Sequence, residues 1–192
     1  MSRALPFDPA FVPYPATRYP LLARGGMVNT SSPQAAAAGL QALRRGGNAV
    51  DAAIACAAAL TVVEPTANGI GADAFALVWI EKDKTLYGLN ASGRAPGALD
   101  IAAAKAAGAG DSMPAYGWLP TMVPGAPAAW AALAERLAAL PLTQSMAPAI
   151  QYAQEGYPVS PNLALMWQRA AGRYQATHQG AAFREWFNTF LP

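Results

Sequence analysis

The residues whose types suggest chemistry are one arginine, one glycine-rich loop and one histidine. Arg94 lies in the segment LNASGRAP, after a predicted strand and among small residues. There its fork-shaped guanidinium is suited to bind a substrate carboxylate. The alternative interpretation is a solvated loop arginine, and sequence physics alone leaves both open.

The loop Asn68-Gly-Ile-Gly-Ala-Asp73 precedes a predicted strand. Phosphate-binding loops instead follow a strand and open a helix, so the order disfavours a phosphate- or nucleotide-binding module. We expect a tight turn in which two backbones meet and glycine adopts positive φ. A second interpretation is that Gly69, Gly71 and Asp73 also line a substrate pocket.

The remaining reactive side chains indicate no catalytic or metal site. His178 is the single histidine, and no Gly-x-Ser-x-Gly motif presents a serine to it. Its polar context, Ala-Thr-His-Gln, is typical of a solvated surface residue. Cys56 lies in an Ala-rich run and predicts a small buried side chain, without a disulfide framework. One histidine and one cysteine do not build a usual zinc site, so we predict neither a metal nor a cofactor.

The composition restricts the classes of partner. Hydrophobic residues make up 54% of the 192 residues and charged residues 12%, against roughly 25% in an average domain. This favours a surface that another polypeptide partly covers, although a compact Ala-rich protein would share the composition. The net charge of +2, without a basic stripe, favours neither a nucleic acid nor a membrane partner. The N-terminus lacks a signal-peptide h-region, and the longest apolar run, Ala52–Val63, is too short to span a bilayer. A cytoplasmic protein is therefore expected.

The predicted elements give an α+β pattern. Residues 1–24 read as an irregular Pro-rich arm, and residues 25–192 as one domain that becomes helical after about residue 125. Asn48 predicts a helix cap, with Asp51 in the first turn. Pro148 predicts a kink or two short helices. In order, we expect a strand at Gly26–Ser31, helices at Pro33–Arg45 and Ala49–Val63, strands at 74–81 and 85–90, a weak helix at Leu99–Ala107, a short strand at Leu119–Val123, and helices at Pro127–Leu140, Thr143–Glu155, Pro161–Gln175 and Ala181–Phe190.

Several blocks, taken in order, resemble the γ-glutamyltransferase family. They are GGNAVDAA, VVEP, GIG, MVPGAPAAWAAL and EGYPVSP, and the likeness extends from about Arg24 to the end. The resemblance implies an N-terminal-nucleophile hydrolase with a four-layer αββα core. It also implies a precursor that cleaves itself into a large and a small subunit, of which this chain is the N-terminal part of the large one.

The resemblance implies a mechanism as well. A threonine at the new N-terminus of the small subunit attacks a γ-glutamyl amide, with its own α-amine as base. Water or an amino acceptor then takes the acyl group, so the activity is hydrolase or transferase. The threonine motif does not occur in this chain. The chain alone is therefore expected to be inactive, and the missing C-terminal segment is its expected partner.

One departure concerns the substrate. The family's carboxylate-binding arginine stands in a motif of the form Gly-Arg-Glu-Thr-Ala-Pro, and an ungapped match places it at Ser92. Arg94 stands two positions later and is the candidate to replace it, with Ser92 beside it. The substrate is then either a γ-glutamyl compound or a small acyl amide such as oxamate. A third hypothesis is a truncated relative without catalysis, which acts as a structural or interaction fragment.

Overall fold

The computed structural model describes residues 20–191, so most of the predicted arm, residues 1–19, lies outside the described part. The elements in chain order are α1 (Pro33–Arg44), α2 (Ala49–Val63), β1 (Ala74–Ile80), β2 (Thr85–Ala91), α3 (Ile101–Ala106), α4 (Ala126–Leu137), α5 (Leu142–Glu155), α6 (Pro161–Thr177), a 3-10 turn (Ala181–Phe183) and α7 (Arg184–Phe190).

Helix α2 forms the centre of the core. Its N-cap Asn48 accepts hydrogen bonds from the backbone N–H of Val50 at 2.8 Å and of Asp51 at 3.2 Å, as the sequence predicts. Residues on nearly every side of α2 are buried, because it packs between α1 and α5. Its alanines let the neighbouring helices approach closely, and this is why an Ala-rich segment can form the middle of the molecule.

The buried carboxylate of Asp51 joins α2 to the link between α4 and α5. The side chain is 0% exposed. Oδ2 accepts from the N–H of Asn48 at 2.8 Å and of Ala139 at 2.9 Å, and Oδ1 from the N–H of Leu140 at 3.0 Å and the hydroxyl of Ser145 at 3.3 Å. Burial by itself raises the pKa of Asp51, but these hydrogen bonds outweigh it and hold the pKa below its usual value.

The two strands form an antiparallel hairpin in which Ala74 pairs with Ala91 and Ile80 with Thr85. Side chains alternate between two faces along each strand. The inner face, with Ala74 and Val78, packs against the helical core. The outer face is also apolar but exposed, and its large members are Phe75, Leu77, Trp79 and Leu86. Single exposed apolar residues are ordinary, whereas a contiguous patch of this kind marks a contact surface.

Two expectations for secondary structure are wrong. Residues 26–31 form no strand, because their backbone has no ladder partner among residues 20–191. Residues 119–123 form no strand either. The N–H of Val123 donates to the carbonyl of Arg94, but no strand ladder continues from this hydrogen bond. Of the two outcomes predicted for Pro148, the division into two short helices does not occur, because α5 is one helix through it. Between residues 20 and 191, no helix combines the length and the apolar content that crossing a bilayer requires.

Candidate active site

Three loops meet at the end of the hairpin, and we call this the three-loop junction: residues 72–73, 91–94 and 122–126. The carbonyl of Ala72 accepts from the N–H of Gly125 at 3.1 Å and of Ala126 at 2.9 Å. The carbonyl of Arg94 accepts from the N–H of Val123 at 3.0 Å. These bonds tie the end of the glycine loop and the end of β2 to the segment that enters α4.

Two glycines permit this close meeting. A Cβ on Gly93, which has φ +79°, would lie 2.1 Å from the carbonyl oxygen of Val123. A Cβ on Gly125 would lie 2.0 Å from the carbonyl oxygen of Ala91. No side chain fits at either distance, so both positions require glycine. Neither glycine is among the predicted site residues, although Gly93 stands in the segment LNASGRAP and Gly125 in MVPGAPAAWAAL.

The predicted site residues Ser92, Arg94 and Asp73 all lie at the junction. The pairing of Ala74 with Ala91 places Asp73 and Ser92 one register step beyond the last paired residues, on neighbouring chain segments. Ser92 is half-buried, and its N–H donates to the side-chain oxygen of Asn90 at 3.0 Å. The side chains of Arg94 and Asp73 are exposed, and neither has a hydrogen-bond or ion-pair partner within residues 20–191. The junction thus carries a guanidinium, a carboxylate and a hydroxyl on neighbouring chain segments.

The glycine loop differs from the expectation in its geometry. Neither Gly69 nor Gly71 has a positive φ, and a Cβ would have no neighbour closer than 4.0 Å at Gly69 and none within 4 Å at Gly71. The predicted close meeting of two backbones is thus wrong for these glycines and occurs at Gly93 and Gly125. The start of the loop is held instead by Glu64, whose carboxylate accepts from Ser31 Oγ at 2.5 Å and from Asn68 Nδ2 at 3.3 Å.

The space beside the junction is an open cleft of about 510 Å³ that begins at Ala95 and runs along α3. Asp100, Lys105 and Asp111 are the charged residues on its walls. Within residues 20–191, no three His, Cys, Asp or Glu side chains come together in a way that could hold a metal ion.

His178 differs from its prediction as a solvated surface residue. It is half-buried, and its ring lies edge-on to Phe183 and Tyr174, with centroids 4.6 Å and 5.0 Å away. Its Nδ1 lies 2.8 Å from the hydroxyl of Thr177, which is the single hydrogen-bond contact of the ring within residues 20–191. Aromatic packing explains the position of the ring, which lies on the C-terminal helices rather than at the junction.

Cys56 is buried in α2 as predicted, with its Sγ 3.2 Å from the carbonyl oxygen of Ala35. Burial raises the pKa of the thiol. A buried thiol with a raised pKa is a weak nucleophile. Cys56 is therefore not an activated nucleophile.

Comparison with known protein families gives one match over most of the chain. Residues 35–192 match the family described as Gamma-glutamyltranspeptidase. Among curated relatives, the Acylase ACY 1 proenzyme of Pseudomonas sp. (strain SE83) is 34% identical over 163 residues, covering 81% of this chain and 29% of that protein. The chain therefore spans less than a third of the length of this relative.

Solved structures agree with the family match. A cephalosporin acylase from Bacillus halodurans superposes with a TM-score of 0.87 at 55% identity, over 97% of this chain and 34% of that chain. A gamma-glutamyltranspeptidase from Helicobacter pylori superposes with a TM-score of 0.75 at 29% identity, over 82% of this chain and 46% of that chain. These matches confirm the predicted α+β class and the predicted relation to N-terminal-nucleophile hydrolases.

Proposed function

Since the chain belongs to the gamma-glutamyltranspeptidase family, we propose that it is the N-terminal portion of an amidohydrolase that is made as a proenzyme. Residues 25–192 are then part of the large-subunit domain, and residues 1–24 are an arm attached to it. The support is twofold: the family match, and a curated relative that is itself named a proenzyme.

The reaction is transfer of an acyl group from an amide. A threonine hydroxyl outside this chain attacks the amide carbonyl, and its proton passes to the threonine's own α-amine. The tetrahedral intermediate collapses to an ester and releases the amine, which takes up that proton. Water or a second amine then attacks the ester, regenerates the hydroxyl and releases the acid or a new amide. This chain contributes no atom to the bonds that change.

The role of the three-loop junction is to hold the acyl donor. The observation that carries this proposal is the convergence of Ser92, Arg94 and Asp73 on one junction that backbone hydrogen bonds fix in place. Arg94 donates two parallel hydrogen bonds to the donor's carboxylate, and its exposure leaves the guanidinium free to do so within residues 20–191. Ser92 offers a hydroxyl beside it, and Asp73 an acceptor for a donor N–H.

The class of acyl donor has two candidates. A γ-glutamyl amide is the first, on family grounds. An acyl amide without the α-amine is the second. It is favoured because serine occupies position 92, where the family's arginine is expected, and because a cephalosporin acylase is 55% identical to this chain. Arg94 serves either donor, since both carry a carboxylate.

The partner of this chain is the polypeptide that covers the outer face of the hairpin. Phe75 is 64% exposed, Leu77 79% and Trp79 53%, and burying such side chains is worth about 1.5–3 kcal/mol each. A second sheet stacked on this face, donated by the C-terminal segment, would supply that burial.

A set of matched substrates tests the proposal. The complete gene is expressed, and the purified protein is assayed with the p-nitroanilides of γ-glutamate, glutarate and butyrate. Glutarate lacks the α-amine, and butyrate lacks the amine and the carboxylate. Release of p-nitroaniline from either carboxylate-bearing substrate, with little from the butyryl compound, is the expected result. A protein that cleaves none of the three would instead be the non-catalytic relative.

A further inference from the structure

The segment that joins α3 to the three-loop junction lines the open cleft that begins at Ala95. We call residues 109–118 the strap. Three of its residues, Asp111, Ser112 and Met113, line the cleft together with residues of α3. The contacts that hold the strap in place therefore also determine the shape of this cleft.

Backbone hydrogen bonds fix the chain on both sides of the strap but not within it. At its start, the N–H of Ala109 donates to the carbonyl of Ala104 in α3 at 2.9 Å. Beyond its end, the N–H of Val123 donates to the carbonyl of Arg94 at 3.0 Å. Residues 110–117 make no backbone–backbone hydrogen bond with the part of the chain that the structure describes. Side chains must therefore hold this stretch against the rest of the molecule.

Two glycines flank this stretch with backbone conformations that other residues rarely adopt. Gly108 has φ +98° and Gly117 has φ +95°. A Cβ on either would meet nothing within 4 Å, so the positive φ, and not a lack of space, is what favours glycine there. A loop that lies between two such positions, and has few backbone hydrogen bonds of its own, can move as a unit.

Two aromatic side chains of the strap anchor it to the C-terminal helices. The ring of Trp118 stacks on Phe183 of the 3-10 turn, with centroids 5.3 Å apart and planes 13° apart. The hydroxyl of Tyr116 accepts from Nη1 of Arg173 in α6 at 3.0 Å, and its ring lies edge-on to His178 with centroids 6.1 Å apart. Helix α6 and the 3-10 turn thus hold a wall of the cleft, although none of their residues lines it.

From these observations we propose that Tyr116 and Trp118 are positioning residues of the donor site. They hold the strap beside the cleft and, through the chain from Trp118 to Val123, they fix the position of Arg94. This inference rests on the proposed function, in which Arg94 binds the donor's carboxylate. When either ring is lost, the strap leaves its place for part of the time, and Arg94 loses the fixed geometry that two parallel hydrogen bonds require. Carboxylate recognition then weakens, while the chemical step is unaffected.

Limited proteolysis measures the anchoring without any turnover. The protein expressed from its complete gene is digested with endoproteinase Asp-N under native conditions, and mass spectrometry follows cleavage before Asp111 in the strap and before the exposed Asp83 in the hairpin turn. Trp118→Ala should accelerate cleavage at Asp111 about 3–10-fold, as expected for the loss of one aromatic pair, and leave cleavage at Asp83 unchanged. Trp167→Ala is the matched control, because its ring packs against Phe190 of α7. Equal rates at Asp111 in the two variants would overturn the anchoring.

Steady-state kinetics separate a positioning role from a general loss of structure. For glutaryl p-nitroanilide, Trp118→Ala should raise KM about 3–10-fold and leave kcat nearly unchanged. Trp118→Phe keeps a ring that can stack, and it should restore most of the wild-type KM. Residual turnover of the butyryl anilide should not change, because that substrate has no carboxylate for Arg94. An unchanged KM in Trp118→Ala, or an equal loss with the butyryl anilide, would overturn the positioning role.

A ligand that is not turned over keeps this test separate from the proposed activity. Glutarate carries the carboxylate but no amide, and saturating glutarate should slow cleavage at Asp111 at least about three-fold in wild type and not in Arg94→Ala. If none of the anilides is cleaved but glutarate slows the cleavage, the proposed reaction is wrong and the link between the strap and Arg94 holds. If glutarate leaves cleavage at Asp111 unchanged, the inference is wrong whether or not the anilides are cleaved.

Discussion

The core around α2 and the three-loop junction are built in opposite ways. In the core, the Asp51 carboxylate accepts four hydrogen bonds, and the surrounding side chains are buried. At the junction the backbone is fixed as firmly, but Arg94 and Asp73 are exposed. The adjoining hairpin also presents an exposed apolar outer face. The buried polar side chain of the core thus has its partners within the described residues, whereas the junction and the outer face of the hairpin present exposed side chains.

This contrast separates residues that maintain the fold from residues available for function. Polar groups in the core already have partners, so changing them should cost stability. The side chains of Arg94 and Asp73 at the junction have none within residues 20–191, so changing them should cost substrate binding and little stability. The following predictions test that division from the largest expected effect to the smallest.

Asp51→Ala should give the largest loss of stability. It leaves the backbone N–H groups of Asn48, Ala139 and Leu140 without their acceptor. Unsatisfied buried donors cost about 1–3 kcal/mol each, so we expect the free energy of unfolding to fall by about 3–5 kcal/mol. Urea denaturation measures it, and the exposed Asp83→Ala is the matched control, with a change below about 0.5 kcal/mol. Similar losses of unfolding free energy in both variants would show that the hydrogen bonds of Asp51 do not stabilise the packing of α2 against α5.

Gly125→Ala tests the backbone contact at the junction. Its φ of -99° suits alanine, so the expected damage comes only from the Cβ, which would lie 2.0 Å from the carbonyl oxygen of Ala91. Overpacking of this kind costs about 1–3 kcal/mol, and the shift of Ser92 should also lower kcat/KM. Gly97→Ala is the control, because its Cβ would meet nothing within 4 Å. If both variants behave like wild type, the three loops do not meet as described.

Arg94→Ala should lower substrate affinity without lowering stability. Loss of a charged hydrogen bond is worth about 1.5–3 kcal/mol, which is about 10–150-fold in KM for the glutaryl or γ-glutamyl anilide. The butyryl anilide has no carboxylate, so its residual turnover should not change. Arg94→Lys keeps the charge but loses the two parallel N–H donors of the guanidinium. Its KM for the carboxylate-bearing substrates should therefore lie between the values of wild type and Arg94→Ala. Unchanged KM for the carboxylate-bearing substrates would remove Arg94 from the site.

The smallest predicted effect is the acid dependence of stability that Asp51 contributes. Because the folded pKa lies below the unfolded value, the contribution is complete above about pH 4 and is lost as the pH falls through the folded pKa. Urea midpoints measured between about pH 6 and pH 2.5 should fall further for wild type than for Asp51→Asn, which does not titrate. Parallel pH profiles of the urea midpoint in the two proteins would contradict the assignment of this acid dependence to Asp51.

Local signals in the sequence predicted the core well. The Asn48 cap and the predicted range Ala49–Val63 agree with the observed bounds of α2. The role of Asp51 was predicted only within its own helical turn, because its partners Ala139, Leu140 and Ser145 lie 88 to 94 residues further along the chain. No pattern within a short window of sequence specifies such contacts.

The junction was predicted less completely for the same physical reason. The family resemblance placed Ser92 and Arg94 in the site, and their substrate-binding roles stay a prediction. The required glycines were assigned to Gly69 and Gly71, but the close contacts occur at Gly93 and Gly125. A glycine-rich string is visible in sequence, whereas a backbone contact between two distant loops depends on the tertiary fold.

The central claim is that this chain works together with a second, threonine-bearing polypeptide from the same precursor. Intact mass spectrometry with N-terminal sequencing, on the protein purified from its native source, tests it directly. The account predicts two co-purifying polypeptides, one containing this sequence and the other beginning with threonine. A single uncleaved species, with no threonine-initiated partner, would contradict it.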